Sequence, residues 1–309
     1  MEERIQMGSA IFAYFFLVLL VACLASWGGI IGRLARKEQL LPLAARRRVP
    51  WIGADVLLIL FVYVLTTGAV MRGLRLFVSV PQNEAAVPFG AAPDNAHPAL
   101  RVLGLGITSG ADWVVALTAL SVVVVAPVFE EFFFRVVIQG WFESVDARYR
   151  TRFLPFGFTP ILVTSLFFAA LHVRIGERDE GFEQGVLMLV ATVLSSGLVM
   201  LLAICYLRIV RGATASDLGW RTDTFFADVR LGVVTACAIL GPLFGIQAFF
   251  LWVLPKHVAP DPVPIFVLSV VLGFLYLRTH RAIPGIVLHF CLNLVSLAMA
   301  VLAFQAGRM

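Results

Sequence analysis

The chain has 309 residues, of which 60% are hydrophobic and 14% charged, with a mean hydropathy of +0.93. Soluble domains keep an apolar share of about 45–50%, so this composition excludes one and describes a polytopic membrane protein. The net charge of +5 does not indicate a nucleic-acid partner, because the Lys and Arg residues are scattered through short loops with no aromatic-interleaved patch.

In chain order, apolar runs predict helices near 9–32, 51–71, 111–142, 153–173, 184–207, 229–254, 263–278 and 282–306. Such runs approach the roughly 20 residues that cross about 30 Å of hydrocarbon, and none alternates polar and apolar residues as barrel strands do. The expected fold class is all-α, a polytopic transmembrane bundle of about eight helices. The first run follows a mixed-charge stub with Glu2, Glu3 and Arg4. It exceeds the apolar core of a signal peptide, about 7–15 residues, and reads as a retained first span.

Charge sets the expected orientation. Arg33, Arg36, Lys37 and Arg46 to Arg48 crowd the first loop, which the positive-inside rule assigns to the cytoplasm, with the N-terminus outside. Alternation brings Arg148, Arg150 and Arg152, then Arg208, Arg211 and Arg221, then Arg278 and Arg281 to the same side. The segment from about 76 to 110, with Pro81, Pro88, Pro93 and Pro98, lacks periodicity and is expected to be an irregular external loop. Asp55 sits near a helix start, where a carboxylate favours the dipole. Asp112 and Trp113 open the third run and read as a cap and an interfacial anchor. Pro127 is expected to kink or break that long run. Cys23, Cys205, Cys237 and Cys291 show no CxxC spacing and read as small buried hydrophobes, not a disulfide framework. His257 and His280 fall in loops, and no repeat of fixed period is visible.

Three polar groups remain at membrane depth. In PVFEEFFFR, Glu130 and Glu131 are followed by Arg135. Glu131 and Arg135 are i,i+4 neighbours and can pair, while Glu130 points about 100° away on a regular helix. Ionised carboxylates at such depth cost roughly 2.5–3.5 kcal/mol each on insertion scales, so they mark a site or a water-filled cavity. His172 closes a second run, with Phe168 one turn earlier. His289 and Asn293 share one face of the last run. Singly, an intramembrane His or Asn suits an interhelical hydrogen bond. Together the three groups supply a carboxylate base, an imidazole and an amide donor, the types needed to activate water and stabilise an oxyanion. Glu130, His172 and His289 could alternatively hold a divalent metal, although no HExxH motif is present.

The EExxxR string from Glu130 to Arg135, the FxxxH string from Phe168 to His172 and the HxxxN string from His289 to Asn293 occur in an order that resembles the CPBP family of intramembrane endopeptidases. This family, also called ABI, includes the type II CAAX prenyl proteases. LGFLYLRTHRAIPGIVLHFCLN, ahead of and into the last motif, is also similar to that family. The resemblance implies a glutamate-dependent peptide hydrolase with Glu130, Glu131, His172, His289 and Asn293 as the catalytic set. Glu130 with His172 would activate water, and His289 with Asn293 would stabilise the oxyanion. Arg135, paired with Glu131, and Phe168 would give structural support, and no metal is required. Residues 1–110 would then form N-terminal helices and an external loop, and 111–309 a protease core with an inserted helical segment at about 174–262. Within that segment ATASDLGW resembles a stretch usually found ahead of the glutamates, with Ser216 or Asp217 expected to cap a short helix. Val136 stands where a Gly often follows the arginine. Expected partners are a peptide or protein substrate and the lipid bilayer. The active site is expected near the cytoplasmic side, because the glutamates fall near the inner end of the third span. A competing reading is a non-catalytic membrane scaffold or immunity protein that uses the same polar pocket for binding.

Overall fold

A computed structural model describes residues 2–41, 43–44, 48–77, 98–149, 155–173, 182–253 and 262–306. Among these, the chain forms nine helices and no strand, which we number α1 (Glu2–Ala35), α2 (Gly53–Phe77), α3 (Pro98–Ser109), α4 (Asp112–Tyr149), α5 (Phe158–Leu171), α6 (Phe182–Ile209), α7 (Phe225–Val253), α8 (Pro262–Thr279) and α9 (Ile283–Ala306). Seven contain a stretch long and apolar enough to cross a membrane, so the chain is an integral multi-pass helical protein. The exceptions are α3 and α5. At 14 residues, α5 is only about 21 Å long, short of the span expected at 153–173.

Four expectations need correction. Residues 98–109 are helical rather than irregular: Pro98 is the first helical residue, where its missing N–H costs nothing and its fixed φ suits the helix. Of the remaining loop, residues 78–97, with Pro81, Pro88 and Pro93, lie outside the described residues, as do Arg46, Arg47, Arg150, Arg152 and His257. Pro127 does not break α4, which runs unbroken for 38 residues. Two π-helical stretches, Leu120–Val125 and Glu131–Gln139, flank the proline, and the wider register before it moves the carbonyls that its ring would meet in an α-helix. Asp112 makes no cap; the N-cap position is Ala111, without a side-chain hydrogen bond. Residues 215–219 form one turn, capped by Thr214 rather than by Ser216 or Asp217. The Asp217 carboxylate accepts from the Thr214 N–H (2.8 Å) and hydroxyl (2.6 Å), while the Thr214 hydroxyl accepts from the Asp217 N–H. This is the reciprocal capping-box arrangement.

Helix association within a bilayer relies on close packing and hydrogen bonding rather than on a hydrophobic driving force. Gly232 of α7 lets that helix press on α9: a Cβ there would stand 2.7 Å from the Pro284 carbonyl and from Val287. The two N-terminal helices pack on the segment expected to be an insertion, α1 along α7 and α2 along α6, so the described residues form one bundle. The four cysteines are free, and none is fully buried as expected: Cys205 is exposed, and Cys23, Cys237 and Cys291 are half-buried.

The loops that hold Arg36, Lys37, Arg48, Arg211, Arg221 and Arg281 gather at one end. Contacts there link Ala44 to Arg278, Val49 to Ser144, Gly219 to Ala282 and Gly157 to Leu277. At the same end Arg281 pairs with buried Asp228. Asp55 is buried there too and accepts from the Tyr206 hydroxyl (2.5 Å), Arg211 Nη2 (2.7 Å) and the Ile52 N–H (2.8 Å), stapling α2 to α6. Asp55→Ala leaves those donors unpaired. It is expected to cost about 1–3 kcal/mol of stability, visible as a lowered thermal unfolding midpoint in detergent with cleavage activity retained at low temperature.

Candidate active site

The site forms where α4, α5, α8 and α9 meet. The helix register around Pro127 turns both carboxylates of α4 toward one imidazole of α9. His289 Nδ1 lies 3.4 Å from Glu131 Oε1, and its Nε2 lies 3.7 Å from Glu130 Oε2. Glu130 therefore does not face away from Glu131, as a regular helix would require. The π-helical stretch that begins at Glu131 changes the angular spacing of successive side chains.

The two carboxylates differ in environment. Glu131 is 1% exposed, Glu130 22%. The second oxygen of Glu131 faces Arg135 Nε at 3.6 Å, the pair expected from i,i+4 spacing. Arg135 is itself 1% exposed and donates from Nη2 to the Ser269 hydroxyl of α8 at 2.6 Å. Its guanidinium stands 5.5 Å from the Phe168 ring centre, a distance at which the ring face attracts a cation. Phe168 thereby connects three residues: Arg135, His172 (ring centres 4.6 Å apart) and His289 (6.2 Å, edge-on).

His172 ends α5 at the C-cap position, and its Nδ1 lies 2.7 Å from the Phe168 carbonyl. A carbonyl only accepts, so Nδ1 carries the hydrogen of that bond, and the neutral ring keeps its lone pair on Nε2. His172 and His289 both lie within electrostatic range of Glu130. Asn293, one turn beyond His289, spends an Nδ2 hydrogen on the Val122 carbonyl at 2.8 Å. Among the described residues, no three His, Cys, Asp or Glu side chains gather as metal ligands would.

Three contributors carried no readable sequence signal. Ser269 is one small polar residue in an apolar run, and only its buried place opposite Arg135 gives it meaning. Trp51 donates its indole N–H to the Val137 carbonyl inside the second π stretch (3.0 Å). Gly285 has the sharpest consequence, because a Cβ there would stand 2.6 Å from Glu131 Oε2. That oxygen could swing away only by leaving Arg135, and the turn of the carboxylate would take Oε1 from His289. Gly285→Ala is expected to lower kcat about 100-fold, the cost of misplacing a reacting group by about 1 Å. Steady-state kinetics beside a thermal melt will check this, with the midpoint close to that of the wild type.

A carboxylate pair, two imidazoles and a buried arginine thus meet inside a multi-pass helical bundle. The type II CAAX prenyl endopeptidase Rce1-like family matches the chain over residues 112–216 and 209–295, more than half its length and including every site residue from Glu130 to Asn293. The chain belongs to the type II CAAX prenyl endopeptidase Rce1-like family and is thus an intramembrane peptidase. No curated protein and no solved structure matches it.

Proposed function

We propose that this peptidase hydrolyses a peptide bond by direct attack of a water molecule activated by Glu130 and His172. The observation that carries the reading is the His289 ring set between the two glutamates, with one nitrogen toward each. Glu131, held by Arg135, orients His289 through Nδ1, as a carboxylate orients the imidazole in other hydrolytic sites. Nε2 is then aimed at the side of Glu130, the more accessible carboxylate. Water between Glu130 and His172 Nε2 gives a proton to the Glu130 carboxylate while its oxygen bonds to the scissile carbonyl carbon. The carbonyl π electrons move to oxygen, and His289, doubly protonated between the two carboxylates with one hydrogen toward Glu131, donates its Nε2–H to the oxyanion. Collapse restores the carbonyl, breaks the C–N bond and passes the proton from Glu130 to the departing amine. Each step balances within these residues, the water and the peptide.

His289 lies six residues, about 9 Å, inside the start of α9, at the end where the basic loops gather. By the positive-inside rule that end is cytoplasmic, so the scissile bond is reached from the cytoplasmic side, with the N-terminus outside. The family is described as a type II CAAX prenyl endopeptidase, and the probe that this description suggests is a farnesylated CAAX peptide beside its unmodified counterpart. Purified protein in nanodiscs is expected to release the C-terminal tripeptide from the farnesylated probe, read by mass spectrometry, and to continue in excess EDTA. Cleavage of both probes alike would remove the lipid from recognition. Cleavage lost to EDTA and restored by Zn²⁺ would replace the glutamate-activated water with a metal-bound one. Failure to cleave either probe, with the protein folded, would favour the scaffold reading.

A further inference from the structure

Asn293 gives one Nδ2 hydrogen to the backbone of α4, and the carbonyl it meets is one that the helix cannot satisfy by itself. Val122 lies in the π-helical stretch Leu120–Val125. Its ordinary α-helical donor would be the Ala126 N–H four residues on, but that N–H is given to Ser121, five residues back. Its π-register donor would be the N–H of residue 127, and residue 127 is proline, which has none. Both backbone donors are therefore lost, one to the register shift and one to the ring. The Asn293 Nδ2–H fills the place at 2.8 Å. A carbonyl without a partner at membrane depth costs several kcal/mol, so this bond selects the register that follows it, including the turn at which Glu130 and Glu131 leave the helix.

We propose that Asn293 is a positioning residue for the two glutamates: its amide replaces the hydrogen that Pro127 lacks and fixes the π turn of α4 against α9. Because His289 stands one turn earlier on the same helix, the bond sets the two carboxylates and the imidazole in common register. The proposal rests on the reading of Glu130, Glu131 and His289 as the reacting groups. It assigns one Nδ2 hydrogen of Asn293 to the backbone of α4 and leaves the second for the oxyanion expected of it.

The test is a double-mutant cycle between Pro127 and Asn293, read with the farnesylated CAAX peptide. Asn293→Leu keeps the side-chain volume and removes the donor. In the wild-type background it is expected to lower kcat about 100-fold with KM little changed, the effect of displaced rather than missing reacting groups. In a Pro127→Ala background, residue 127 regains an N–H that can take the Val122 carbonyl. There the same substitution is expected to cost about tenfold less than in the wild-type background, a coupling of the size seen between residues that share a partner. An equal loss in both backgrounds would overturn the proposal and leave Asn293 to the reacting atoms alone. Asn293→Ser serves if the leucine variant does not fold. If Pro127→Ala is too weak to assay, the cycle is read as thermal midpoints, where the destabilisation by the Asn293 substitution must shrink when residue 127 has its N–H. An undiminished shift there overturns the proposal as well. Glu130→Gln in the same assay keeps the two ideas apart, since full activity in that variant would defeat the reading of the site whatever the cycle shows.

Discussion

Glu130→Gln is expected to lower kcat for peptide cleavage about 10²–10⁴-fold, the contribution of a positioned general base, without a matching rise in KM. The substitution keeps the size and shape of the side chain and removes only its ability to take a proton from water. Glu130 is the carboxylate with access, at 22% exposure against 1% for Glu131, and it lies within electrostatic range of His172. Glu131→Gln should differ in kind. Its oxygens face Arg135 and His289 at 3.6 and 3.4 Å, so the amide leaves a buried guanidinium without its counter-charge, and thermal stability falls together with activity. The checking measurement is the pair of kinetic constants beside the melting midpoint for both variants. Loss of activity at constant midpoint for Glu130, and loss of both for Glu131, is the expected pattern.

The second large effect belongs to His289. His289→Ala removes the donor aimed at the developing oxyanion and is expected to cost about 10²–10³ in kcat, the range for deleting one oxyanion donor. His289→Gln retains an N–H at a similar reach and should recover part of that loss. Because Glu131 acts through His289, the double variant Glu131→Gln, His289→Ala should be little worse than the poorer single one, as groups that work as a unit are not additive. Additive losses, measured by kcat/KM across the four proteins, would mean that Glu131 and His289 act separately.

Much of this arrangement was legible in the sequence for a physical reason. Spans announce themselves by apolar length, and charged or amide side chains at that depth stand out because lipid excludes them. Glu131 and Arg135 were readable as a pair because i,i+4 spacing survives in the folded helix. The placement of Glu130 was not, since its expected direction assumed regular helical spacing, and a π register cannot be read from residue types alone. The same gap hid Asn293: the sequence shows an amide one turn after a histidine, whereas its target is a carbonyl stranded by Pro127 some 170 residues earlier. Helix α3 is not legible because Pro98 in a proline-rich stretch reads as a breaker, although at the first position of a helix it favours formation. Asp55 reads as a dipole partner, and only the fold brings Tyr206 and Arg211 to it.

Direct attack by water separates this mechanism from one in which a glutamate itself bonds to the peptide. Single-turnover cleavage in H₂¹⁸O, with excess enzyme over the farnesylated peptide, distinguishes them by where the heavy oxygen goes. Direct attack places ¹⁸O in the new carboxylate of the released product and none in the Glu130 and Glu131 side chains of the digested enzyme. Product that carries only ¹⁶O, with ¹⁸O found in either glutamate, would contradict it.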